Sequence, residues 1–541
     1  MSRALPAAVD PEPTADPLAE GQVVTKGRRR EGADPRRWRA LAVTQLAAFM
    51  VLLDVSIVVV ALPSIERDLA VSAVTAQWII SGYALTLGLA LVPAGRLGDS
   101  LGRRRMFLIA LSTFVLTSAL TGAAPTVGLL ITARLLQGVA GGMLIPQNSG
   151  LIQELFQGAE RGRAFGILGS TIGLATAAGP VIGGLILGIP APDAWRWVFY
   201  VNVPIGVTAL VMAARLLPGT TSAGRRGTDL DLLGSLLLDD GVLALLIPLV
   251  DAADGGLSQL WWLWVVGALL LALFAWWETR TARRGQQPLL DPQLRRTPGY
   301  VAGSAIGLVY FIGFTGIWLV LALFLQDGLG YSPLRSGLSV TPFAIGVASS
   351  AVIAGRLVPR FGRWLTVCGL TAMAAGLLTT ALLLRHAAGA SVQWVIIGPL
   401  LVAGLGAGMV TSPNVTLTLE NVPVRMAGAA SGALQTVQRI GAAIGSATLA
   451  TTFYHVLNQT DHDYHAAVSD ALLGTSAFML LTLLIALGEV TWRRRHRPAV
   501  RSEPVAAADP APGFANFVGA TGPDRISRRH PTQKQPRPVS A

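Results

Sequence analysis

Polar residues break this chain at regular intervals. Apolar runs of about 20 residues follow one another, each closed by a short polar stretch, and strand-type alternation is absent. A helical run of that length crosses the ~30 Å of a hydrocarbon layer at about 1.5 Å per residue. Lipid offers no partner for an unpaired backbone group, so the runs predict membrane-spanning helices. Fourteen can be counted, at roughly 38–62, 76–95, 106–124, 128–150, 163–188, 196–216, 229–250, 258–278, 301–325, 335–357, 364–385, 392–412, 428–452 and 470–492. The expected fold class is therefore an all-α polytopic membrane protein.

Charge orients the spans. Arg28, Arg29, Arg30, Arg36, Arg37 and Arg39 precede the first run, which places the N-terminus in the cytoplasm. Connections returning to that side carry Arg96, Arg103 to Arg105, Arg161, Arg163, Arg215, Arg225, Arg226, Arg280, Arg283, Arg284, Arg295, Arg296, Arg356, Arg360, Arg363 and Arg425. The opposite connections hold Arg67, Arg196, Arg335 and Arg385 beside Asp193, Asp251, Asp254, Asp327, Asp461 and Asp463. Arg493, Arg494, Arg495 and Arg497 bring the C-terminus back to the cytoplasm, as an even number of spans requires.

Composition agrees. Of 541 residues, 52% are hydrophobic and 13% charged, which excludes an ordinary soluble protein. The net charge of +12 follows the alternating loops and the tails and no groove-reading element is present, so nucleic acid is not an expected partner. The single Cys368 excludes an intramolecular disulfide framework and a multi-cysteine metal site. Residues 1–37 and 498–541, rich in Pro, Ala and Arg and without an apolar core, read as disordered cytoplasmic tails, the first of them not a signal peptide.

The basic stretch GRLGDSLGRRR, Gly95 to Arg105, reads as a tight hairpin between the second and third spans, with Gly95, Gly98 and Gly102 allowing the turn and close helix approach. Asp99 and Arg103 lie four apart and can pair on one helical face. Asp99 can instead meet the positive end of a neighbouring helix, and either arrangement would latch one conformation. GRLVPRFGR, Gly355 to Arg363, repeats this stretch after the tenth span with Pro359 in place of Asp99. The repeat divides the chain into a six-helix half at 38–217, an inserted two-helix segment with its loops at 218–298, and a second six-helix half at 299–497.

The Gly95 to Arg105 stretch closely resembles the signature loop of the major facilitator superfamily, G-x-L-x-D-x-x-G-R-R/K. Further text is similar to the family's fourteen-span drug:proton antiporters: LLDVSIVVVALPSI at Leu52 to Ile65, RLLQG from Arg134, ATAAGPVIGG at Ala175 to Gly184, WRWVFYVNVPIG at Trp195 to Gly206, FLQDGLGYSPLRSG at Phe324 to Gly337 and ASGALQTVQRIGAAIG at Ala430 to Gly445. Ser56, Val59 and Ala175 depart from the usual pattern. The resemblance implies two six-helix halves with two inserted helices and alternating access about a midplane cavity. It also implies export of amphipathic drugs, antibiotics or lipophilic cations against a proton gradient, with Arg134 assisting proton transfer and the Gly179, Pro180, Gly183 and Gly184 motif marking antiport.

The residues themselves nominate the sites. Asp54 lies about 23 Å along the opening span, where an unpaired carboxylate is costly, and is the first candidate to carry the proton. Arg134, midway down the fourth span, needs a partner or a wet cavity, and Gln137 shares its face. Gln435 and Arg439, four apart in the thirteenth span, face inward as cavity candidates, and Trp318 with Tyr310 and Phe311 offers an aromatic wall. Asp239 and Asp240 form an unexpected acidic pair in the seventh span, either tolerated by a kink or water pocket near Gly241 or acting as an accessory cation or proton site. His462 and His465 sit in a polar outer loop, where a solvated connection is a simpler reading than a metal site. The expected protein works as a monomer in the bacterial inner membrane, with lipid, protons and an amphipathic substrate as partners and no cofactor. A nutrient symporter of the same fold is the alternative, and a membrane-embedded enzyme or channel is a rival of another class.

Overall fold

A computed structural model describes residues 36–191, 193–219, 231–250, 256–286, 288–386 and 391–495. The expectations for the tails before residue 36 and after residue 495, and for Arg225, Arg226, Asp251 and Asp254, lie outside these residues.

Fourteen long helices follow the apolar runs. They are α1 (Arg36–Leu69), α2 (Ala73–Leu101), α3 (Arg103–Ala123), α4 (Val127–Leu155), α5 (Gly158–Leu187), α6 (Asn202–Leu216), α7 (Leu232–Val250) and α8 (Trp261–Arg283). They continue as α9 (Tyr300–Leu323), α10 (Pro333–Phe361), α11 (Trp364–His386), α12 (Ile397–Leu419), α13 (Ala427–Gln459) and α14 (Tyr464–Arg495). Among the described residues, 13 helical segments are long and apolar enough to cross a membrane, the sixth of them Ala194–Leu216, which adds the short turns before α6 to that helix. The fourteenth, α7, has 19 residues and carries Asp239 and Asp240 near its middle.

Several helices outrun their apolar cores. The first begins at Arg36, inside the expected tail, and α13 and α14 extend several residues beyond the runs that announced them. The backbone bonds of a helix continue until a residue breaks them, whereas the apolar run marks only the lipid-facing part.

In the first half α2 and α3 pack on α4, and α1 on α5. In the second half α10 and α11 pack on α12, and α9 on α13. The halves meet by exchange: α5 runs along α10 and touches α12, while α2 runs along α13, so the second helix of each half lies on the fifth helix of the other. Glycine permits this closeness. A Cβ on Gly166 would stand 2.8 Å from the Ala351 carbonyl oxygen, nearer than a carbon can approach. The inserted pair packs on itself through Gly241 and Gly267, and α7 rests on α2 and α13.

The expected hairpin at Gly95 to Arg105 needs correction. Helix α2 continues to Leu101, and Gly102 alone, at φ 101 and ψ 126, separates it from α3. Only that position demands glycine for its backbone. Gly95 and Gly98 serve close approach instead, to Gly428 on α13 and to the Gln147 side chain on α4. The repeat behaves alike, with Gly362 at φ 52 between α10 and α11.

Candidate functional site

Three charged clusters are built inside the helices, and the deepest surrounds Asp54. This residue is fully buried on α1. Its Oδ2 accepts a hydrogen bond from an Arg134 terminal guanidinium nitrogen at 2.6 Å. Its Oδ1 accepts from Asn202 Nδ2 at 2.7 Å and from Gln137 Nε2 at 3.1 Å. Arg134 also donates to the Ile79 carbonyl at 3.1 Å and to Gln137 Oε1 at 2.9 Å, and its guanidinium lies 4.0 Å from the centre of the Tyr83 ring. Asn202 reaches on to Ser118 Oγ at 3.1 Å. Side chains of α4 and α6 thus hold the α1 carboxylate, with α2 and α3 supporting Arg134 and Asn202 behind them, which meets the requirement that a buried charge be both paired and hydrogen-bonded.

Gln137, nominated for the cavity, is fully buried within this network. Asn202 and Ser118 escaped the sequence reading, although an asparagine within the apolar WVFYVNVPIG was a legible signal.

The second cluster joins the halves at the end of the bundle that carries the basic connections. Asp99, the expected latch acid, does both of the things open to it. It accepts from the Arg103 guanidinium at 2.8 Å, and from the backbone N–H groups of Gly428 and Ala429 at 3.1 and 3.0 Å. Those amides open α13, so the carboxylate sits at a helix N-terminus, where unpaired donors and the helix dipole favour negative charge. Arg103 donates further to the carbonyls of Gly150 at 2.5 Å and Val424 at 2.6 Å, and to Glu154 at 3.2 Å. Gly95 and Gly428 touch backbone to backbone beside it. Two more bonds cross between the halves, from Ser170 Oγ to the Ala348 carbonyl and from Arg161 to the Glu420 carbonyl.

A third cluster is its counterpart in the second half. Lacking an acid at Pro359, Arg363 turns to Glu489 near the end of α14, at 2.8 Å with both side chains 4% exposed, and donates to Asn414 Oδ1 at 2.6 Å. Glu489 was not read as a site, since an acid close to the end of a span looks like a boundary residue.

The α5 motif grips both of its neighbours. Gly179 lies against Ser56, two residues past Asp54, and Gly183 against Ile57. Pro180 meets Gly337 and Gly184 meets Leu334, both on α10. Ser56 Oγ donates to the Ala175 carbonyl at 3.1 Å.

On α9, Tyr310 and Phe314 stack at 5.3 Å, and Trp318 meets Phe343 edge to face at 5.3 Å. Trp318 is half-buried, and its indole N–H has no partner in the described structure. Gln435 and Arg439 are also half-buried. Asp239 is half-buried and Asp240 exposed, and neither makes a hydrogen bond or ion pair among the described residues. His465 is held in packing, with Nδ1 2.8 Å from the Leu384 carbonyl and its ring against Phe324.

Comparison with known proteins follows the same lines. Residues 45–446 match the sequence profile described as Major Facilitator Superfamily. The chain is 38% identical over 427 residues to a protein of Streptomyces coelicolor named "probable actinorhodin transporter", covering 78% of this chain and 73% of that one. It is 39% identical over 431 residues to the puromycin resistance protein pur8 of Streptomyces alboniger, covering 78% and 82%. Among solved structures, the human organic anion transporter MFSD10 superposes with a TM-score of 0.61 at 15% identity, over 84% of this chain and 100% of that one, a likeness of fold.

Proposed function

The chain belongs to the Major Facilitator Superfamily, and on that premise we propose that it exports amphipathic small molecules, drugs or antibiotics among them, in exchange for protons. The observation that carries this reading is the Asp54 and Arg134 pair, an ionisable couple buried in a transport bundle and held by side chains from several helices. Its chemistry suits a proton site. Protonation of Asp54 removes the counter-charge of Arg134, which keeps the Ile79 carbonyl, Gln137 and the Tyr83 and Phe199 rings, so α1 and α4 register the event directly.

The halves rock about a central cavity, and the Asp99 cluster holds shut the end bearing the basic connections, which we assign to the cytoplasm by their arginines. In this cycle Asp54 loads a proton from outside and releases it inside as substrate departs. The protein is a transporter and not an enzyme. It works as a monomer in the bacterial inner membrane, with both termini cytoplasmic and the proton gradient in place of a cofactor. For one proton entering with net movement of one charge, 100 mV contributes about 2.3 kcal/mol, or roughly fifty-fold accumulation of a neutral substrate.

Proteoliposomes carrying an imposed pH gradient test the reading with Asp54→Asn, which preserves volume and removes the titratable charge. Uphill efflux is expected to vanish while protein is still inserted. Uphill efflux at the wild-type rate would remove Asp54 from the mechanism.

A further inference from the structure

Arg439 differs from the arginines of the three charged clusters. Arg134 pairs with Asp54, Arg103 with Asp99 and Glu154, and Arg363 with Glu489. Arg439 makes no hydrogen bond, ion pair or ring contact among the described residues. It lies about 18 Å along α13 from Ala427, deep in the bundle, where a permanently charged guanidinium is costly unless something meets it.

Its direction follows from the faces of α13 that are already taken. Ile440 and Ala443 pack toward α7. Gln438, Gly441 and Gly445 lie against Gly307, Leu308 and Ile312 of α9. Gly432, which touches Leu91 on α2, is seven residues before Arg439 and therefore on nearly the same face, so Arg439 points toward the first half two turns farther from the latch. There it comes within electrostatic range of the Tyr83 phenol. Tyr83 is 1% exposed, its ring face is occupied by Arg134, and its Oη has no hydrogen-bond partner in the described structure. A guanidinium and a buried hydroxyl, neither with a hydrogen-bond partner among the described residues, thus share one region between the halves, and an acceptor oxygen placed there would serve both.

We propose that Arg439 and the Tyr83 hydroxyl form an anion subsite of the transport cavity, taking the carboxylate or phenolate of an acidic amphipathic substrate. This rests on the export reading and narrows its substrate class. The guanidinium supplies several N–H donors and the phenol one O–H, a set that matches the lone pairs of a carboxylate and leaves none for a cationic group. The subsite adjoins the proton site, because the Tyr83 ring also faces Arg134, the partner of Asp54. A lipophilic cation meets a like charge here, so cations are the disfavoured class at this position.

The test uses purified full-length protein and three probes that share one ring system: 1-pyrenebutyrate, 1-pyrenebutanol and pyrenebutyl-trimethylammonium. Energy transfer from protein tryptophan to pyrene reports binding. Wild type is expected to bind the acid at least about tenfold more tightly than the alcohol, as a charge-assisted bond within a membrane cavity implies. Arg439→Gln should abolish that preference with binding of the alcohol still measurable, which also certifies the fold. Arg439→Lys should retain part of the preference, and Tyr83→Phe should reduce it several-fold. Equal binding of acid and alcohol by wild type, or a preference that survives Arg439→Gln, overturns the subsite, and so does failure of the acid to bind. Vesicle export separates the two readings. Proton-driven export of the probes without acid preference leaves export standing and removes the subsite. The predicted binding pattern without proton-driven export confirms the subsite and removes the antiport reading.

Discussion

Asp99→Asn probes how one state of the transporter is held. In the structure this carboxylate collects three charge-assisted bonds, from Arg103 at 2.8 Å and from the Gly428 and Ala429 amides at 3.1 and 3.0 Å. The last two cross between the halves. An amide keeps the shape and one acceptor oxygen, but loses the charge and places an N–H toward donors. Hydrogen bonds to a charged group contribute about 1.5–3 kcal/mol and neutral ones about 1, so weakening two of the three costs the closed arrangement about 2–3 kcal/mol. That shifts the balance between closed and open forms about 30- to 150-fold toward opening at this end. Spin labels can follow it: Leu101 at the end of α2 and Val424 just before α13 are 41% and 44% exposed, and Cys368, which is also exposed, is first changed to serine. The label-to-label distance should lengthen in Asp99→Asn, and maximal transport rate should fall more than substrate affinity. An unchanged distance distribution, or loss of affinity at a normal maximal rate, would refute the latch.

Other perturbations reach the remaining clusters. Arg363→Gln or Glu489→Gln alone should destabilise the protein by about 3–5 kcal/mol by removing one partner of a buried ion pair, whereas the double change to Met and Leu should recover most of it in thermal unfolding; additive losses would contradict the pairing. Gly179→Ala drives a methyl group onto Ser56 and should slow transport, with partial rescue by Ser56→Gly. A normal rate in the single variant would show that α1 and α5 have room to separate. The double change of Asp239 and Asp240 to asparagine should leave transport of neutral and singly charged substrates mostly intact, and loss of proton coupling equal to that of Asp54→Asn would mean that the carrier role is shared.

Legibility in the sequence ended where long-range pairing began. The number and rough position of the spans could be read from local composition, because a helix in lipid satisfies its own backbone and each run of about 20 apolar residues is sufficient by itself. The motif residues Asp54, Asp99, Arg103 and Arg134 were also visible, since a charge in an apolar run is conspicuous wherever it points. Their partners were not. Arg134 finds Asp54 80 positions away, and Arg363 finds a glutamate 126 positions on, at the far end of the chain. These helices are apolar nearly all round, so periodicity does not reveal which face is turned inward. Without a water-driven force to mark that face, small-residue fit decides it, as where Gly95 meets Gly428 and Gly166 meets Ala351. Tertiary structure therefore decided that Gln137 and Asn202 serve the buried carboxylate, that Asp99 caps a helix of the opposite half, and that Arg439 is turned toward the first half, because each of these depends on which helix packs beside which.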